Sequence, residues 1–171
     1  MKKTFTIKSM ALFALLLALK IILSRITGIS FGIVKLTLGF IATGMTGYLF
    51  GPWLGALAGG LTDLMGFFLF PQGNYFPGYT LTSMITGLIY GILLYQKKTT
   101  FLRILVAVTL ESLLCSLLLN TLWTSILFGK AFFAILPARI LKNLLAIPLQ
   151  TCILYLIFKY LQKPLKQFTS S

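Results

Sequence analysis

The 171-residue sequence contains no histidine, two cysteines and only two acidic residues, Asp63 and Glu111. Both cysteines, Cys115 and Cys152, lie inside apolar segments, where we expect free thiols rather than a disulfide. Two carboxylates and two separated thiols are too few ligands for a zinc or iron site, so the sequence indicates no metal and no cofactor. The phosphate-binding motif Gly-x-x-x-x-Gly-Lys-Ser/Thr is also missing, so we do not expect the chain to hydrolyse ATP by itself.

Charged residues are scarce as well: they make up 10% of the chain, whereas hydrophobic residues make up 58%. The mean hydropathy of +0.97 lies far outside the range of soluble globular domains. The sequence therefore predicts an all-α integral membrane protein. Because a membrane helix takes about 20 apolar residues, the chain has room for about six helices in one domain, residues 1–171, and for no separate soluble domain.

Short breaks divide the apolar sequence into six predicted membrane helices, at residues 8–27, 36–50, 52–70, 81–95, 101–128 and 134–161. The second and third helices meet at Gly51-Pro52, a tight turn in which the proline opens the next helix. The break from Phe70 to Ser83 contains two prolines and two glycines, which stop a helix, and four aromatic residues but no charge. A solvated connection needs less aromatic surface, so we interpret this loop as the wall of a ligand pocket.

The formal charge of +13 would suggest a nucleic-acid partner in a soluble protein, but here the basic residues lie mostly at the ends of apolar segments. That distribution indicates membrane topology instead, because cytoplasmic loops carry an excess of lysine and arginine. With a cytoplasmic N-terminus, Arg25, Lys35 and Lys130 lie outside. Nine basic residues near helix ends then lie inside: Lys2, Lys3, Lys8, Lys97, Lys98, Arg103, Lys159, Lys163 and Lys166. Both termini are therefore predicted to be cytoplasmic, and the aromatic loop faces outward.

Ionisable residues at membrane depth are costly, so each needs a partner or a water-filled cavity. Lys20 in the first helix and Asp63 in the third lie at similar depths, so we predict that they form an ion pair. We interpret the pair as a lock between two helices, with a direct ligand role as the alternative. Glu111 lies nearer the cytoplasmic half, where it is a structural partner or a ligand residue.

The last helix carries a polar stripe, at positions i, i+4, i+7 and i+11 of one face: Arg139, Asn143, Ala146 and Gln150. Lys142 lies on its flank, and the antiparallel fifth helix places Asn120 and Trp123 at the same depth. Two cations, two amides and an indole converge beneath the aromatic loop, which predicts a site for an anionic ligand. Interhelical hydrogen bonds with a tryptophan at the membrane interface are the alternative, but Arg139 and Lys142 have no carboxylate at their depth.

The first helix carries Ala11, Ala14 and Ala18 on one face, which Arg25 shares further out, whereas Lys20 points roughly the other way. Small residues let another helix approach closely. Since Lys20 is expected to face the inside of the bundle, the alanine face is expected to face outward. We therefore predict that it binds a partner protein.

Three stretches resemble a known transporter family: Ile29-Ser30-Phe31-Gly32, Gly51-Pro52 with Gly55, Gly59, Asp63 and Gly66, and Phe70-Pro71 with Tyr75-Phe76-Pro77-Gly78-Tyr79-Thr80. Together they resemble the substrate-binding S component of an energy-coupling factor vitamin transporter. The Tyr-Phe-Pro-Gly loop is similar to the folate-specific branch. The resemblance runs from the first helix to about Tyr95 and departs at Ile33-Val34-Lys35, where a more apolar, proline-containing stretch is expected.

The resemblance implies a membrane cup without transport energy of its own, which binds folate or a close derivative from outside and topples in the lipid bilayer to release it. It implies a membrane T component, bound through the alanine face, and two cytoplasmic ATPases as partners. The rings of the vitamin are expected to stack on aromatic residues: Phe31, Tyr75, Phe76, Tyr79 or Trp123. Asn120 and Asn143 are expected to form hydrogen bonds with the edge of the pterin. The glutamate carboxylates are expected to pair with one or more of four basic residues: Arg25, Lys35, Arg139 and Lys142.

Three other functions remain open. The same architecture accommodates another vitamin, although a cationic one such as thiamine needs carboxylates that the predicted outer pocket lacks. A membrane-embedded enzyme needs a nucleophile, a base or a metal cluster, and Asp63 and Glu111 at different depths do not form one. A purely structural membrane subunit is the third alternative.

Overall fold

The computed structural model describes residues 7–25, 29–31, 34–36, 38–71, 75–129 and 132–169. In chain order these residues form α1 (Ile7–Arg25), β1 (Ile29–Phe31), β2 (Val34–Leu36), α2 (Gly39–Phe50), α3 (Pro52–Leu69), α4 (Pro77–Leu94), α5 (Phe101–Glu111), a π-helical segment (Ser112–Leu119), α6 (Asn120–Phe128) and α7 (Phe132–Thr169). The π segment joins α5 and α6 into one continuous rod. The described residues thus contain the six predicted helical rods, and the all-α membrane fold is confirmed.

Five of these rods are long and apolar enough to cross a membrane, counted over the described residues: 7–24, 52–69, 77–94, 101–127 and 136–160. The sixth, α2, has 12 residues. At 1.5 Å per residue it is about 18 Å long, shorter than the roughly 30 Å of a bilayer core. It is nevertheless central, because every residue from Ala42 to Leu49 is buried.

The bounds of three helices differ from the sequence prediction by three or more residues at one end. α2 begins at Gly39 rather than at residue 36, because Leu36 pairs with Ile29 in a short antiparallel hairpin of β1 and β2. α4 begins at Pro77 rather than at residue 81, since a proline in the first turn loses no intrahelical hydrogen bond. α7 runs from Phe132 to Thr169, beyond the predicted residues 134–161 at both ends.

Glycines set how closely the helices pack. Gly51 has a φ of 88°, a conformation that glycine adopts without strain, and it makes the predicted turn before Pro52. α3 and α4 lie in backbone contact: a Cβ on Gly59 would overlap the carbonyl of Ser83, and one on Gly87 would overlap the carbonyl of Gly55. The small residues of α3 therefore serve packing inside the bundle.

The apolar core fills one half of the bundle, where α2 and α4 end and α5 begins. Its fully buried side chains include Tyr90, Leu94, Ile104 and Leu154. The ring of Tyr48 packs on Phe158 with a centroid distance of 5.1 Å. The opposite half, where α1 ends and α2 and α4 begin, is polar inside.

Candidate ligand-binding site

A cavity of about 280 Å³ lies between α1, α2, α4, the rod from α5 to α6, and α7. Most of its lining is polar: Lys20, Ser24, Gly39, Phe40, Thr43, Ser83, Thr86, Glu111, Ser112, Ser116, Asn120, Lys142, Asn143 and Gln150. Polar groups inside a membrane bundle need partners or a polar ligand. The cavity is therefore the candidate site.

Three residues predicted to contact the ligand line this cavity, namely Asn120, Lys142 and Asn143. The structure brings them together because Asn120 begins α6 on one rod and α7 packs beside that rod. Gln150, on the polar stripe of α7, extends the lining two helical turns further. The stripe faces the inside of the bundle, as its periodicity indicates.

Asn143 is held in one orientation by the π segment. Its side chain is only 3% exposed, and its Oδ1 accepts a hydrogen bond of 3.0 Å from the Ser116 hydroxyl. The Asn143 Nδ2 donor has no acceptor within the part of the chain that the structure describes. A buried donor without an acceptor is unfavourable, and this Nδ2 atom is covered by protein although other atoms of Asn143 line the cavity.

Three charged side chains line the same cavity: Lys20, Glu111 and Lys142. Glu111 and Lys142 attract each other, and Lys20 is attracted by Asp63 on the neighbouring α3. The Asp63 carboxylate itself accepts a hydrogen bond of 2.8 Å from Thr80. The direct Lys20–Asp63 ion pair stays a prediction, while the structure gives Lys20 a place in the cavity lining.

Arg139 makes its contacts with the protein beside the cavity. Its Nη2 donates to the Thr124 hydroxyl at 2.7 Å, and its Nη1 donates to the Ser116 carbonyl at 3.2 Å. The Thr124 hydroxyl donates its own proton to the Asn120 carbonyl at 2.6 Å. It must therefore accept from the Tyr79 hydroxyl, which lies 3.1 Å away. Arg139 thus ties α7 to α6 and, through Thr124, to α4.

An aromatic cluster lies next to Thr124. The Phe76 ring is 5.5 Å from the Trp123 ring and 6.1 Å from the Tyr79 ring, between centroids. The Trp123 indole donates to the Thr82 hydroxyl at 3.0 Å. Gly78 lies between the rings, and a Cβ there would come within 2.5 Å of Phe76 and 2.6 Å of Trp123. The structure therefore brings Phe76, Tyr79 and Trp123 together, but none of them is among the residues that line the cavity.

Tyr75 points to the other side of the aromatic loop. Its ring lies 5.2 Å from that of Phe67 on α3, and its hydroxyl lies 3.1 Å from that of Thr80. Since Thr80 donates its proton to Asp63, the Tyr75 hydroxyl is the donor of this pair. These bonds fasten the loop to α3.

Six further predicted residues are not among those described around the cavity. The side chains of Arg25, Phe31 and Lys35 lie outside the described part of the structure. Ala11, Ala14 and Ala18 are exposed on the surface of α1, and none of them lines the cavity.

The sequence analysis missed small hydroxyl residues of the lining, notably Thr43, Ser83, Thr86, Ser112 and Ser116. A signal for some of them exists, because Ser112, Ser116 and Asn120 follow at intervals of four residues in an otherwise apolar segment. Serine and threonine are common in membrane helices, however, where their hydroxyls bond to the helix backbone, as Thr43 does to Gly39.

Comparison with known proteins decides the family. The sequence profile of the ECF transporter substrate-specific component matches residues 8–158. The chain belongs to this family. The resemblance seen in the sequence is confirmed, and this S component is a transport subunit of a membrane transporter rather than an enzyme.

Relatives of this S component include two curated folate transporters. It is 35% identical over 150 residues to the folate transporter FolT of Clostridium novyi, a match that covers 88% of this chain and 87% of the relative. It is 30% identical over 156 residues to the folate transporter FolT of Leuconostoc mesenteroides, covering 88% and 84% of the two chains. A crystal structure of FolT bound with folic acid superposes with a TM-score of 0.81 at 33% identity, covering 87% of this chain and 90% of that chain.

Proposed function

We propose that this S component binds folate or a close derivative in the polar cavity and delivers it across the cell membrane. The cavity carries the proposal: an apolar bundle holds Lys20, Lys142 and an oriented Asn143 amide at membrane depth. A polar, anionic ligand with hydrogen-bonding edges compensates such groups. The similarity to folate transporters, one of them bound with folic acid, supports folate as that ligand.

The two ends of folate suit different parts of the site. Its flat rings pack against Phe76, Tyr79 and Trp123, with Asn120 and Asn143 at the pterin edge. Its glutamate carboxylates require cations, and Lys142 is the predicted cation in the lining, joined there by Lys20. Arg139 contributes its charge from beside the cavity, since its Nη1 and Nη2 atoms already bond to Ser116 and Thr124. Four further residues complete the proposed contacts around the outer part of the site: Arg25, Phe31, Lys35 and Tyr75.

Transport requires partners that supply energy. We propose that a membrane T component binds the exposed face of Ala11, Ala14 and Ala18 and couples this subunit to two cytoplasmic ATPases. Nine basic residues against three support cytoplasmic termini, so the cavity opens on the outer side and toppling of the bundle releases folate inside. The domain spans the whole chain, residues 1–171, in this proposal.

Tryptophan fluorescence tests the ligand assignment directly, because the chain has only two tryptophans. Trp53 is 81% exposed at the start of α3, so a Trp53→Phe variant leaves Trp123 as the reporter beside the cavity. Folate should quench this variant saturably, whereas thiamine and riboflavin should not. No response to folate together with tight binding of another vitamin would refute the assignment. Mass spectrometry of the ligand that copurifies with the chain gives an independent reading.

A further inference from the structure

Three basic residues lie together at the end of the bundle opposite the cavity. Lys97, Lys98 and Arg103 fall within seven residues, in the connection from α4 to α5 and in the first turn of α5. We call these three residues the basic surface. Of the two acidic residues of the chain, Asp63 is bonded to the start of α4, and Glu111 follows Arg103 by eight residues, about 12 Å along the rod. Among the described residues, no acidic side chain therefore neutralises the basic surface.

Two hydrogen bonds hold the basic surface together. Lys97 Nζ donates to the Ile92 carbonyl at 3.0 Å, and Arg103 Nη1 donates to the Lys98 carbonyl at 3.2 Å. Both acceptors are neutral backbone groups, so these bonds position the side chains without compensating their charges. Lys97 and Lys98 are exposed, and Arg103 is half-buried. Because a guanidinium carries five N–H donors and an ammonium carries three, each group has donors for an anion as well.

Aromatic residues around the basic surface mark its depth in the membrane. Three of them are exposed at this end of the bundle: Trp53, Phe101 and Tyr160. Trp53 opens α3 beside the end of α4, since a Cβ on the neighbouring Gly51 would lie 3.3 Å from the Tyr95 ring. Phe101 opens α5, and its ring lies 5.6 Å from that of Tyr155 on α7. Tryptophan and tyrosine are enriched where a membrane meets water, so the basic surface lies at the level of the lipid headgroups.

We propose that the basic surface binds the headgroup phosphate of an anionic phospholipid. The charges are complementary, because Arg103 matches a phosphate in a bidentate arrangement and the two lysines add point charges beside it. The exposed rings of Trp53 and Phe101 favour a lipid over an acidic protein. A bound lipid covers such rings with its acyl chains while its phosphate meets the charges. The basic surface takes no part in the proposed folate site.

Native mass spectrometry of the purified chain measures this binding directly. Titration with phosphatidylglycerol and, separately, with phosphatidylcholine of identical acyl chains gives the dissociation constant of the first molecule of each lipid. The two lipids share the phosphate and differ in net charge. Because each cation near an anionic lipid contributes about 5-fold, wild-type protein should bind phosphatidylglycerol at least about 10-fold more tightly than phosphatidylcholine.

Two triple variants separate charge from structure. With Lys97→Gln, Lys98→Gln and Arg103→Gln, the ratio of the two dissociation constants should fall by more than about 5-fold, the contribution of one cation. The matched control exchanges the cations, with Lys97→Arg, Lys98→Arg and Arg103→Lys, and should keep the wild-type ratio. Thermal unfolding in detergent checks that both variants are folded. If the glutamine variant is not, Lys98→Gln alone should lower the ratio by about 5-fold.

Four results would overturn the inference. The first is a wild-type ratio below about 10-fold, which needs no variant. The second is a smaller fall than expected in the folded glutamine variants, which would assign the preference to other basic residues. The third is an equal fall in the control. The fourth is a glutamine variant that keeps the lipid preference but no longer assembles with the ATPases, which would assign the surface to a protein. Folate binding enters none of these results, so it is tested separately.

Discussion

Thr124 connects two side chains and one backbone carbonyl through a single hydroxyl group. It accepts from Arg139 at 2.7 Å, lies 3.1 Å from the Tyr79 hydroxyl and donates to the Asn120 carbonyl at 2.6 Å. The Arg139 guanidinium, which is positively charged, is thereby held in place by a neutral residue. In the proposed function Arg139 therefore contributes its charge from beside the cavity, whereas Lys20 and Lys142 belong to the cavity lining itself.

A Thr124→Val substitution should remove this connection without changing the volume of the side chain much. Leaving the half-buried guanidinium without one of its acceptors should lower the free energy of unfolding by about 1 kcal/mol. Folate affinity should fall as Tyr79 and Arg139 lose their fixed positions. Thermal unfolding in detergent and folate titration measure the two effects.

The chain offers a matched control one turn away. Thr121 is fully buried, and its hydroxyl has no hydrogen-bond partner among the described residues. The Thr121→Val substitution removes the unsatisfied hydroxyl together with its desolvation cost. It should therefore leave the free energy of unfolding unchanged or raise it. Equal behaviour of the two variants would contradict the role given to Thr124.

Among the elements, α3 and α4 form the tightest pair. Their backbones touch where glycines leave no side chain between them, at Gly59 against Ser83 and at Gly87 against Gly55. Ser83 also lines the cavity. The packing of α3, which contributes no lining residue itself, therefore fixes the wall of the site that α4 provides.

Substitutions at two adjacent glycines on α3, Gly59 and Gly60, separate the effect of close helix packing from the general preference for alanine in helices. A Cβ at Gly59 would overlap the Ser83 backbone, whereas one at Gly60 would meet the flexible side chain of Met84 at 3.0 Å. Gly59→Ala should destabilise the protein by about 1–3 kcal/mol and weaken ligand binding, because α4 must move away. Gly60→Ala should be nearly neutral. Thermal unfolding and folate titration of both variants check this, and a Gly59→Ala protein with unchanged binding would contradict it.

At the scale of the whole molecule, the bundle divides into an apolar half and a polar half. The apolar half contains the buried core around Tyr90 and Leu154. The polar half contains the cavity, and the exposed alanines lie on α1 outside both. In the proposed function, capture of the ligand and coupling to a partner use different surfaces, so substitutions should separate them.

Ala14→Trp and Ala18→Trp should abolish folate uptake while leaving folate binding intact, because a large ring blocks close approach of another helix. Uptake is measured in proteoliposomes that also contain the T component and both ATPases. Leu144→Trp is the control, since Leu144 is 68% exposed on α7 and lines no part of the cavity. Normal uptake by the alanine variants, or a loss of binding, would contradict the proposed coupling face.

The sequence by itself determined the class of the protein, its six helical rods and three residues of the cavity lining: Asn120, Lys142 and Asn143. High hydropathy with few charges requires a membrane bundle, and proline and glycine mark where its helices end. A polar stripe on one helix must face inward in lipid, which is why Asn143 and Lys142 were found from periodicity alone. The resemblance of the aromatic loop to one transporter family rested on local sequence as well.

Only the tertiary structure decided which residues those faces meet. Helical periodicity groups residues on one helix but does not specify the neighbouring helix or its distance, which here depend on glycine contacts and on the π segment. For that reason the cavity lining includes Lys20, predicted to act structurally, and Glu111, for which the sequence left a structural and a ligand role open. For the same reason Arg139, predicted to contact the ligand, uses two of its nitrogen atoms to hold α7 against α6. Composition fixed the polarity of the interior, and packing fixed which polar groups remain available to a ligand.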